Sequence, residues 1–272
     1  MEKKDIAAFF DNCAGWWDAD MIRNEDIITK ILDNAGILPG VSVLDVACGT
    51  GVLFPDYLDR QVASLTGIDI SPEMVKVARS KFPAITVLCG DVEEVEFAEK
   101  FDAIMVYNAF PHFPEPGRLI EVLAGLVKPG GRLSIAHGMS RTQLQQHHAG
   151  RAAQVSIDLI HEKELAQLME PWFEVNTIIS DEQMYQVAGT RRAEKIDIQP
   201  RQAVTPLEEV LALMKFMIAH NDAHAQEMSE LANQLKDMGK TRAYEKIMDA
   251  VTDFDIVNAK FDAILKELST EE

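Results

Sequence analysis

The segment VLDVACGTG at residues 43–51 combines residue types that bring bare backbone close to a ligand. Asp45 stands near the end of an apolar run, and Gly49 and Gly51 follow it in a turn. In a doubly wound sheet, such a turn opens at the carboxyl edge of the strands, where ligands bind. The dinucleotide fingerprint would need a third glycine where the chain has Phe54. The loop therefore favours a nucleoside over a dinucleotide, and Asp45 opposes a phosphate.

Two further carboxylates follow the next apolar runs. Asp69 lies 18 residues past Gly51, a spacing that suits a carboxylate binding both hydroxyls of a ribose. Asp91 can accept a hydrogen bond from an exocyclic amine, while the N–H of Val92 donates to the ring. Together these residues predict a pocket for an adenosine that carries an amino-acid-like tail rather than a diphosphate.

Histidines provide the candidate catalytic groups. His112 lies just beyond the fourth apolar run, and His137 ends the fifth. His147 and His148 follow in a polar stretch. If these positions converge on one sheet edge, they could bind a metal or act as base and substrate ligands. We take His112 and His137 as the candidate catalytic residues.

Short apolar runs alternate with helical stretches between residues 41 and 192. Such runs, apolar without strict alternation, are typical of strands buried on both faces of a parallel sheet. Strand–helix alternation then predicts a right-handed, doubly wound α/β sheet. The predicted strands cover residues 41–46, 64–69, 84–89, 102–107 and 132–137, and the clearest predicted helix covers residues 71–82.

Two more strands are predicted at residues 173–180 and 184–190. The link between them is too short for a parallel crossover, so they should form an antiparallel hairpin. The segment that follows lacks periodicity and reads as a linker.

Beyond Pro206, apolar residues recur in steps of three and four to the end of the chain, interrupted at Gly239. This spacing predicts a long helical hairpin with Gly239 at its turn. Two helices cannot bury a full core alone, so the hairpin should pack on the α/β domain or on a second subunit. His220, His224 and Glu227 share one helix face there and are weak metal candidates.

At the level of whole motifs, the chain resembles the class I S-adenosylmethionine-dependent methyltransferases of small-molecule type. The resemblance rests on the order and spacing of VLDVACGTG, TGIDIS, GDV and LVKPGGRLSI, and it covers about residues 9–190. It implies a seven-stranded, mostly parallel, Rossmann-like sheet with an antiparallel last strand. The predicted hairpin at residues 173–190 agrees with that sheet.

The resemblance also implies roles for individual residues and S-adenosylmethionine as the cofactor. Residues 9–18 are similar to the lid helix of the family, in which an aromatic residue before an aspartate encloses the cofactor. The cofactor-binding residues implied in this way are Trp17 for the lid, Asp45, Ala47, Gly49 and Gly51 for the methionine part, Asp69 and Ile70 for the ribose, Asp91 and Val92 for the adenine, and Asn108 near the sulfonium.

Composition narrows the range of partners. The 272 residues include 26 Lys and Arg against 44 Asp and Glu, a net charge of −18. This charge disfavours a nucleic-acid partner, which needs a cationic surface. No segment has the length of apolar sequence that a signal peptide or a membrane helix requires. The three widely spaced cysteines form neither a metal pair nor a disulfide framework, so we expect a cytoplasmic protein.

We therefore expect three parts: residues 1–192 as the cofactor-binding domain, 193–206 as the linker and 207–272 as the helical hairpin. The expected activity is methyl transfer to a small-molecule acceptor by in-line displacement, with the hairpin as a candidate homodimer contact. Phe54 and Asp45 disfavour the competing nicotinamide dehydrogenase. The non-enzyme alternative is a metal- or ligand-sensing protein that binds the cofactor without turnover and uses the histidines and hairpin.

Overall fold

The computed structural model of the chain describes residues 2–19, 23–148, 155–196 and 206–270. Seven strands alternate with helices in the first part, and two long helices make up the last part. The strands are β1 (Ser42–Val46), β2 (Ser64–Asp69), β3 (Thr86–Cys89), β4 (Phe101–Tyr107), β5 (Val127–His137), β6 (Phe173–Ser180) and β7 (Tyr185–Arg191). The helices are α1 (Lys3–Cys13), α2 (Glu25–Asn34), α3 (Phe54–Asp59), α4 (Pro72–Lys81), α5 (Pro116–Leu126), α6 (Arg141–His148), α7 (Glu162–Met169), α8 (Pro206–Asp237) and α9 (Thr241–Thr270).

The seven strands form one sheet in the order β3-β2-β1-β4-β5-β7-β6. Neighbouring strands from β3 to β5 are parallel, and β7 is antiparallel to both β5 and β6. The order reverses between β1 and β4, which makes the carboxyl ends of those strands the expected ligand-binding crevice. The predicted seven-stranded, mostly parallel α/β fold with an antiparallel last strand is confirmed.

Strand β1 shows why these short runs become central strands. Val43 belongs to the apolar cluster on one face of the sheet, and Leu44 and Val46 belong to the cluster on the other. All three side chains are fully buried. Side chains of a strand point alternately to its two faces, so a strand covered by helices on both sides needs apolar residues at nearly every position.

Helix α4 begins as its sequence predicts. The hydroxyl of Ser71 accepts a hydrogen bond from the backbone N–H of Met74 at 3.1 Å, which caps the first turn. Pro72 occupies the first helical position, where it lacks no needed N–H. The capping residue also lies two positions after β2, so it fixes the loop at the carboxyl edge of the sheet.

Strand β5 begins earlier than predicted. The segment KPGG at residues 128–131 was expected to end a helix and lead into a strand at residue 132. Instead, β5 starts at Val127, and its register against β4 shifts between the pairs Phe101–Val127 and Ala103–Arg132. Gly130 has a φ of 79°. These residues form a bulge at the start of the strand, a feature that periodicity does not reveal.

The chain divides into two compact units, Met1–Ile198 and Gln199–Glu272. The second unit is the predicted helical hairpin: Gly239, with a φ of 73°, lies between α8 and α9. Most of the predicted linker, residues 197–205, lies outside the described residues, and the boundaries at 192 and 206 stay predictions. None of the helices in the described ranges has both the length and the apolar character needed to cross a membrane.

Candidate functional site

The glycine loop after β1 turns sharply at the carboxyl edge of the sheet. Ala47, Gly49 and Gly51 all have positive φ values, of 53°, 55° and 81°. A left-handed conformation is unusual for a residue with a Cβ, so Ala47 marks strain at this turn. The N–H of Cys48 donates to the carbonyl oxygen of Ile68 at 3.1 Å, which ties the loop to the end of β2.

The Asp69 carboxylate joins two loops at the sheet edge. One oxygen accepts from the backbone N–H of Gly49 at 2.8 Å, and the other accepts from that of Ser71 at 2.9 Å. Burial raises the pKa of Asp69 to about 6, although the two backbone hydrogen bonds act in the opposite direction. Asp69 therefore holds the glycine loop in place, a role beyond the ribose contact that its spacing predicts.

The Asp45 carboxylate is buried close to Asp69. Its residue is 3% exposed, and burial raises its pKa well above the usual range, with a further contribution from the charge of Asp69. Within the part of the chain that the structure describes, no hydrogen bond reaches this carboxylate. A buried carboxylate of this kind would gain from a ligand that brings a cation or hydroxyl donors.

The loop after β3 meets the amino-terminal helix. The Nζ atom of Lys3 in α1 lies 2.5 Å from Oδ2 of Asp91 and 2.9 Å from Oε2 of Glu93. Burial lowers the pKa of Lys3, but its hydrogen bonds to Asp91 and Glu93 outweigh that effect and raise it. Lys3 was not identified from the sequence, because a lysine in a KK pair near the start of a chain resembles an ordinary solvated residue.

Two more polar contacts hold the amino-terminal segment against the sheet edge. The Asp11 carboxylate accepts from the Ser71 hydroxyl at 2.6 Å. The Asp18 carboxylate accepts from the Thr50 hydroxyl at 2.5 Å and pairs with Lys81 at 2.6 Å. Residues 9–18, the predicted lid segment, are thus attached both to the helix that follows β2 and to the glycine loop.

A cavity of about 600 Å³ lies along the carboxyl ends of β1 to β4 beneath this segment. Nine of the ten predicted cofactor-binding residues line it, together with His112. Those nine are Trp17, Asp45, Ala47, Gly49, Asp69, Ile70, Asp91, Val92 and Asn108.

Gly51, the tenth predicted residue, is not among the residues that line this cavity. A Cβ at Gly51 would lie 2.7 Å from the ring of Phe54, and one at Gly67 would lie 2.6 Å from the same ring. Phe54 is fully buried between them and packs edge-to-face on Phe82. Gly51 therefore makes room for an aromatic side chain under the loop.

His112 lies in a single 3₁₀ turn, Phe110–His112, directly after β4. Its Nδ1 atom is 2.8 Å from the carbonyl oxygen of Val155 and 3.2 Å from the hydroxyl of Ser156. The ring of Phe10 in α1 packs edge-to-face on the imidazole, with centroids 4.9 Å apart. The imidazole is therefore oriented on two sides and lines the cavity.

His137 is placed differently from His112. It is the last residue of β5, fully buried, and its ring lies 6.0 Å from that of Tyr185 on the antiparallel neighbour. It does not line the cavity, so the structure does not bring the two predicted catalytic histidines to one pocket. Asn108 does lie at the cavity: its side-chain oxygen accepts from the N–H of Gly138 at 2.9 Å, which links the ends of β4 and β5.

The side chains of the weaker metal candidates, His220, His224 and Glu227, lie outside the described residues, as do those of His147 and His148. Among the side chains that are described, no group of three or more His, Cys, Asp or Glu could hold a metal ion.

Comparisons with known proteins agree with the geometry of the first unit. Residues 43–131 match the family described as a methyltransferase domain, and residues 210–268 match a domain of unknown function, DUF8180. A protein of Coxiella burnetii named ubiquinone biosynthesis O-methyltransferase is 33% identical over 143 residues, which are 49% of this chain and 61% of that protein. One of the same name from Xanthomonas campestris is 34% identical over 137 residues, 44% of this chain and 55% of its own length. The chain thus spans about three fifths of the length of these relatives.

Solved structures share the fold at low sequence identity. The N-methyltransferase NodS of Bradyrhizobium japonicum, in complex with S-adenosyl-L-homocysteine, aligns with a TM-score of 0.53 at 16% identity, over 70% of this chain and 97% of that one. A TehB-like methyltransferase of Corynebacterium glutamicum aligns with a TM-score of 0.52 at 17% identity, over 68% and 99%. The α/β unit therefore carries a match to the methyltransferase-domain family at residues 43–131 and shares the fold of these solved methyltransferases.

Proposed function

We propose that this chain transfers the methyl group of S-adenosylmethionine to a hydroxyl oxygen of a small, largely apolar acceptor, with His112 as the general base. The observation that carries the proposal is the order of groups along one cavity. Asp91 follows β3, Asp69 ends β2, Asp45 lies near the end of β1, and His112 follows β4. Strands are about 4.8 Å apart, so the loops of Asp91 and His112 are roughly 14 Å apart, which suits a nucleoside with an amino-acid tail at one side and an acceptor at the other.

The residues at the cavity fit the chemistry of this cofactor. Asp69 would accept hydrogen bonds from the ribose hydroxyls, and Asp91 with the N–H of Val92 would recognise the adenine. The raised pKa of the buried Asp45 supports a contact with the ammonium group of the methionine part, directly or through water. Ala47 and Gly49 would approach the methionine part with their backbone. Ile70, Asn108 and the covering ring of Trp17 would complete the contacts with the cofactor.

His112 would remove the proton of the acceptor hydroxyl. The carbonyl oxygen of Val155 can only accept a hydrogen bond, so Nδ1 of the neutral imidazole carries the proton and Nε2 carries the lone pair. The bound cofactor supplies a methyl group activated by its sulfonium. During transfer the C–S bond breaks, the C–O bond forms, and the hydroxyl proton passes to Nε2. Positioning of the acceptor oxygen in line with the sulfur would supply most of the rate.

Oxygen is favoured as the acceptor atom by two observations. The curated relatives are named as O-methyltransferases. A hydroxyl loses a proton on methylation, which gives an oriented base such as His112 a function. The remaining lining near His112 is largely apolar and includes Phe10, Phe113, Met139 and Leu144. We therefore infer a neutral, hydroxylated acceptor of mainly apolar character, and a cytoplasmic location that agrees with the three free cysteines.

The test is calorimetric titration of the whole chain with S-adenosylmethionine, S-adenosylhomocysteine and NAD, followed by turnover assays with hydroxylated aromatic compounds. Binding of the first two ligands without NAD, and release of S-adenosylhomocysteine with an acceptor, would support the proposal. Binding of NAD alone would overturn it. Cofactor binding without turnover on hydroxylated, amine and thiol acceptors would instead favour the sensing protein that uses the pocket without catalysis.

A further inference from the structure

The helices of the second unit meet through a regular seven-residue repeat. In α9 the buried residues Val251, Asn258 and Leu265 are seven apart, and in α8 Ala225 and Ala232 are seven apart. These positions, with the half-buried residues between them, correspond to a and d of a heptad. The seam also contains a polar pair, because the side-chain nitrogen of Asn221 donates to the side-chain oxygen of Asn258 at 2.9 Å.

A second apolar row runs beside this seam on both helices. It occupies described g positions, each directly before an a position; residues 217 and 224 also fall at g, and their side chains lie outside the described residues. We call these residues the g face, and its exposed members are Val210 and Leu231 from α8, Met238 directly after it, and Val257 and Ile264 from α9. In two antiparallel helices that meet through a and d, the g positions of both lie on the same side of the seam. The described g positions of the hairpin therefore expose apolar side chains on one side of the seam.

The opposite side of the seam is mainly polar. Its e positions include Lys215, Ser229 and Lys236 on α8 and Asp262 on α9, with Met248 as the apolar exception. Apolar residues at a and d alone suffice for a two-stranded coiled coil, whereas apolar residues at a, d and g are typical of helices in a larger bundle. The pattern thus indicates that the g face packs against further helices.

The charges that border the g face on α9 show which helices these are. Its c positions hold Lys246, Asp253, Lys260 and Glu267, all exposed. Lys246 lies ten residues before Ile256, and Glu267 lies ten residues after Val257. Asp253 lies three residues before Ile256, and Lys260 lies three residues after Val257. The charge series is therefore opposite in sign at equal distances from a single point on the helix.

We propose that the g face binds a second copy of this chain, with α9 antiparallel to α9 of the other copy and the two-fold axis between Ile256 and Val257. Each Lys then faces an acid of the other copy: Asp253 faces Lys260, and Lys246 faces Glu267. Val257 packs on its own symmetry mate at the axis. An interface of this kind uses the same surface on both subunits and closes as a dimer. The two hairpins together form a four-helix bundle.

The first test removes the apolar centre of the interface. Val257→Asp places two carboxylates together at the two-fold axis, while Val257 itself lies outside the a and d seam and is 40% exposed. Sedimentation velocity of the full chain should show a dimer for the wild type and a monomer for Val257→Asp, with unchanged helical circular dichroism. A wild-type chain that is still monomeric at about 100 μM, roughly 100 times the concentration of the first sedimentation run, would overturn the proposal.

The second test distinguishes this register from other ways of covering the g face. Lys260→Asp puts an aspartate opposite Asp253 twice in each dimer, and Asp253→Lys puts a lysine opposite Lys260 twice. Each variant alone should dimerise about tenfold more weakly or worse. Mixed in equal amounts, the two variants regain both attractive pairs, so heterodimers should form with nearly the wild-type dissociation constant.

Lys260 suits this test because the residues three and four positions away on its own helix are uncharged. Its substitution therefore breaks no pair within α9. Lys100→Asp, in an exposed loop of the first unit, makes the same change in net charge and should leave dimerisation unchanged. If mixing the two α9 variants gives no heterodimers, α9 does not pair with itself. If Val257→Asp lowers the melting temperature of a monomer instead, the face is covered within one chain, and the proposal fails.

Discussion

The Nδ1 atom of His112 lies 2.8 Å from the carbonyl oxygen of Val155. These residues come from different loops, and the N–H of Ile157 also donates to the carbonyl oxygen of Pro111 at 2.8 Å. The segment at residues 155–157 thus holds the 3₁₀ turn and the imidazole together. A carbonyl partner at Nδ1 sets the tautomer that leaves Nε2 as the basic atom, which is the arrangement a general base requires.

Replacing the base should slow methyl transfer without weakening cofactor binding. For His112→Gln we expect kcat to fall by a factor of about 10² to 10⁴, the usual contribution of a general base. The dissociation constant for S-adenosylhomocysteine should stay within about twofold by the same reasoning. The measurement is steady-state turnover with a hydroxylated acceptor beside calorimetric titration. Unchanged kcat in His112→Gln would exclude this histidine as the base.

The Asp69 carboxylate should dominate ribose binding. Asp69→Ala removes charge-assisted hydrogen bonds, which are worth about 1.5–3 kcal/mol, so cofactor affinity should fall by roughly ten- to a hundredfold. The higher value is expected, because Asp69 also accepts from the N–H groups of Gly49 and Ser71 and holds the loop. Asp59→Ala, at an exposed carboxylate of α3, is the matched control. Equal affinity in both variants would mean that the pocket is wrongly assigned.

Cofactor affinity should also depend on pH through Asp69. The ionised carboxylate accepts from ribose hydroxyls, and burial raises its pKa in the free protein to about 6. Binding strength is then fully present above pH 6 and is lost as the pH falls through that value. Titration with S-adenosylhomocysteine at pH 5 to 8 should show this loss, and Asp69→Ala should lack it. A flat profile for the wild type would contradict the assignment.

The two glycines of the loop should have separable effects. Gly51→Ala introduces a Cβ 2.7 Å from the Phe54 ring at a φ of 81°, so we expect a loss of about 1–3 kcal/mol in the free energy of unfolding. For Gly49→Ala, Nε1 of Trp17 at 3.9 Å is the nearest atom to the new Cβ. This variant should unfold at a higher denaturant concentration than Gly51→Ala but bind cofactor more weakly. Denaturant unfolding measures the stability of the two variants, and calorimetry measures their cofactor affinity. The roles are wrongly assigned if Gly49→Ala is the less stable variant and Gly51→Ala binds cofactor more weakly.

The sheet and most of the cavity could be predicted from the sequence, because both depend on local patterns. Strands β2 and β6 have the predicted bounds, since short β-rich runs with clear polar ends define them. Asp45, Asp69 and Asp91 meet at one edge because the carboxyl ends of neighbouring parallel strands must do so. Motif spacing carries this information without any knowledge of long-range contacts.

What the sequence could not reveal are contacts between distant residues. Lys3 and Asp91 are 88 positions apart, and no spacing rule predicts that they form an ion pair. His137 is the last residue of β5 and is buried there, whereas His112 lies beyond β4, in a turn that reaches the cavity. Gly51 belongs to a binding motif but is required by the packing of Phe54, which only three-dimensional contacts reveal.

The ion pair between α1 and the β3 loop should slow cofactor release. Lys3→Met keeps most of the apolar stem but removes the ammonium that contacts Asp91 and Glu93. Because the Lys3 side chain is one third exposed, solvent screening limits the effect to about 0.5–1 kcal/mol, a two- to fivefold faster dissociation of S-adenosylhomocysteine.

Stopped-flow fluorescence of Trp17 and its neighbour Trp16, which both line the cavity, can report this dissociation rate. Lys4→Met, at the adjacent exposed lysine, makes the same chemical change outside the ion pair and should dissociate at the wild-type rate. Added salt should speed release from the wild type more than from Lys3→Met, since only the wild type has the pair to screen. Equal rates and equal salt dependence in all three proteins would show that α1 does not hold the cofactor through Lys3.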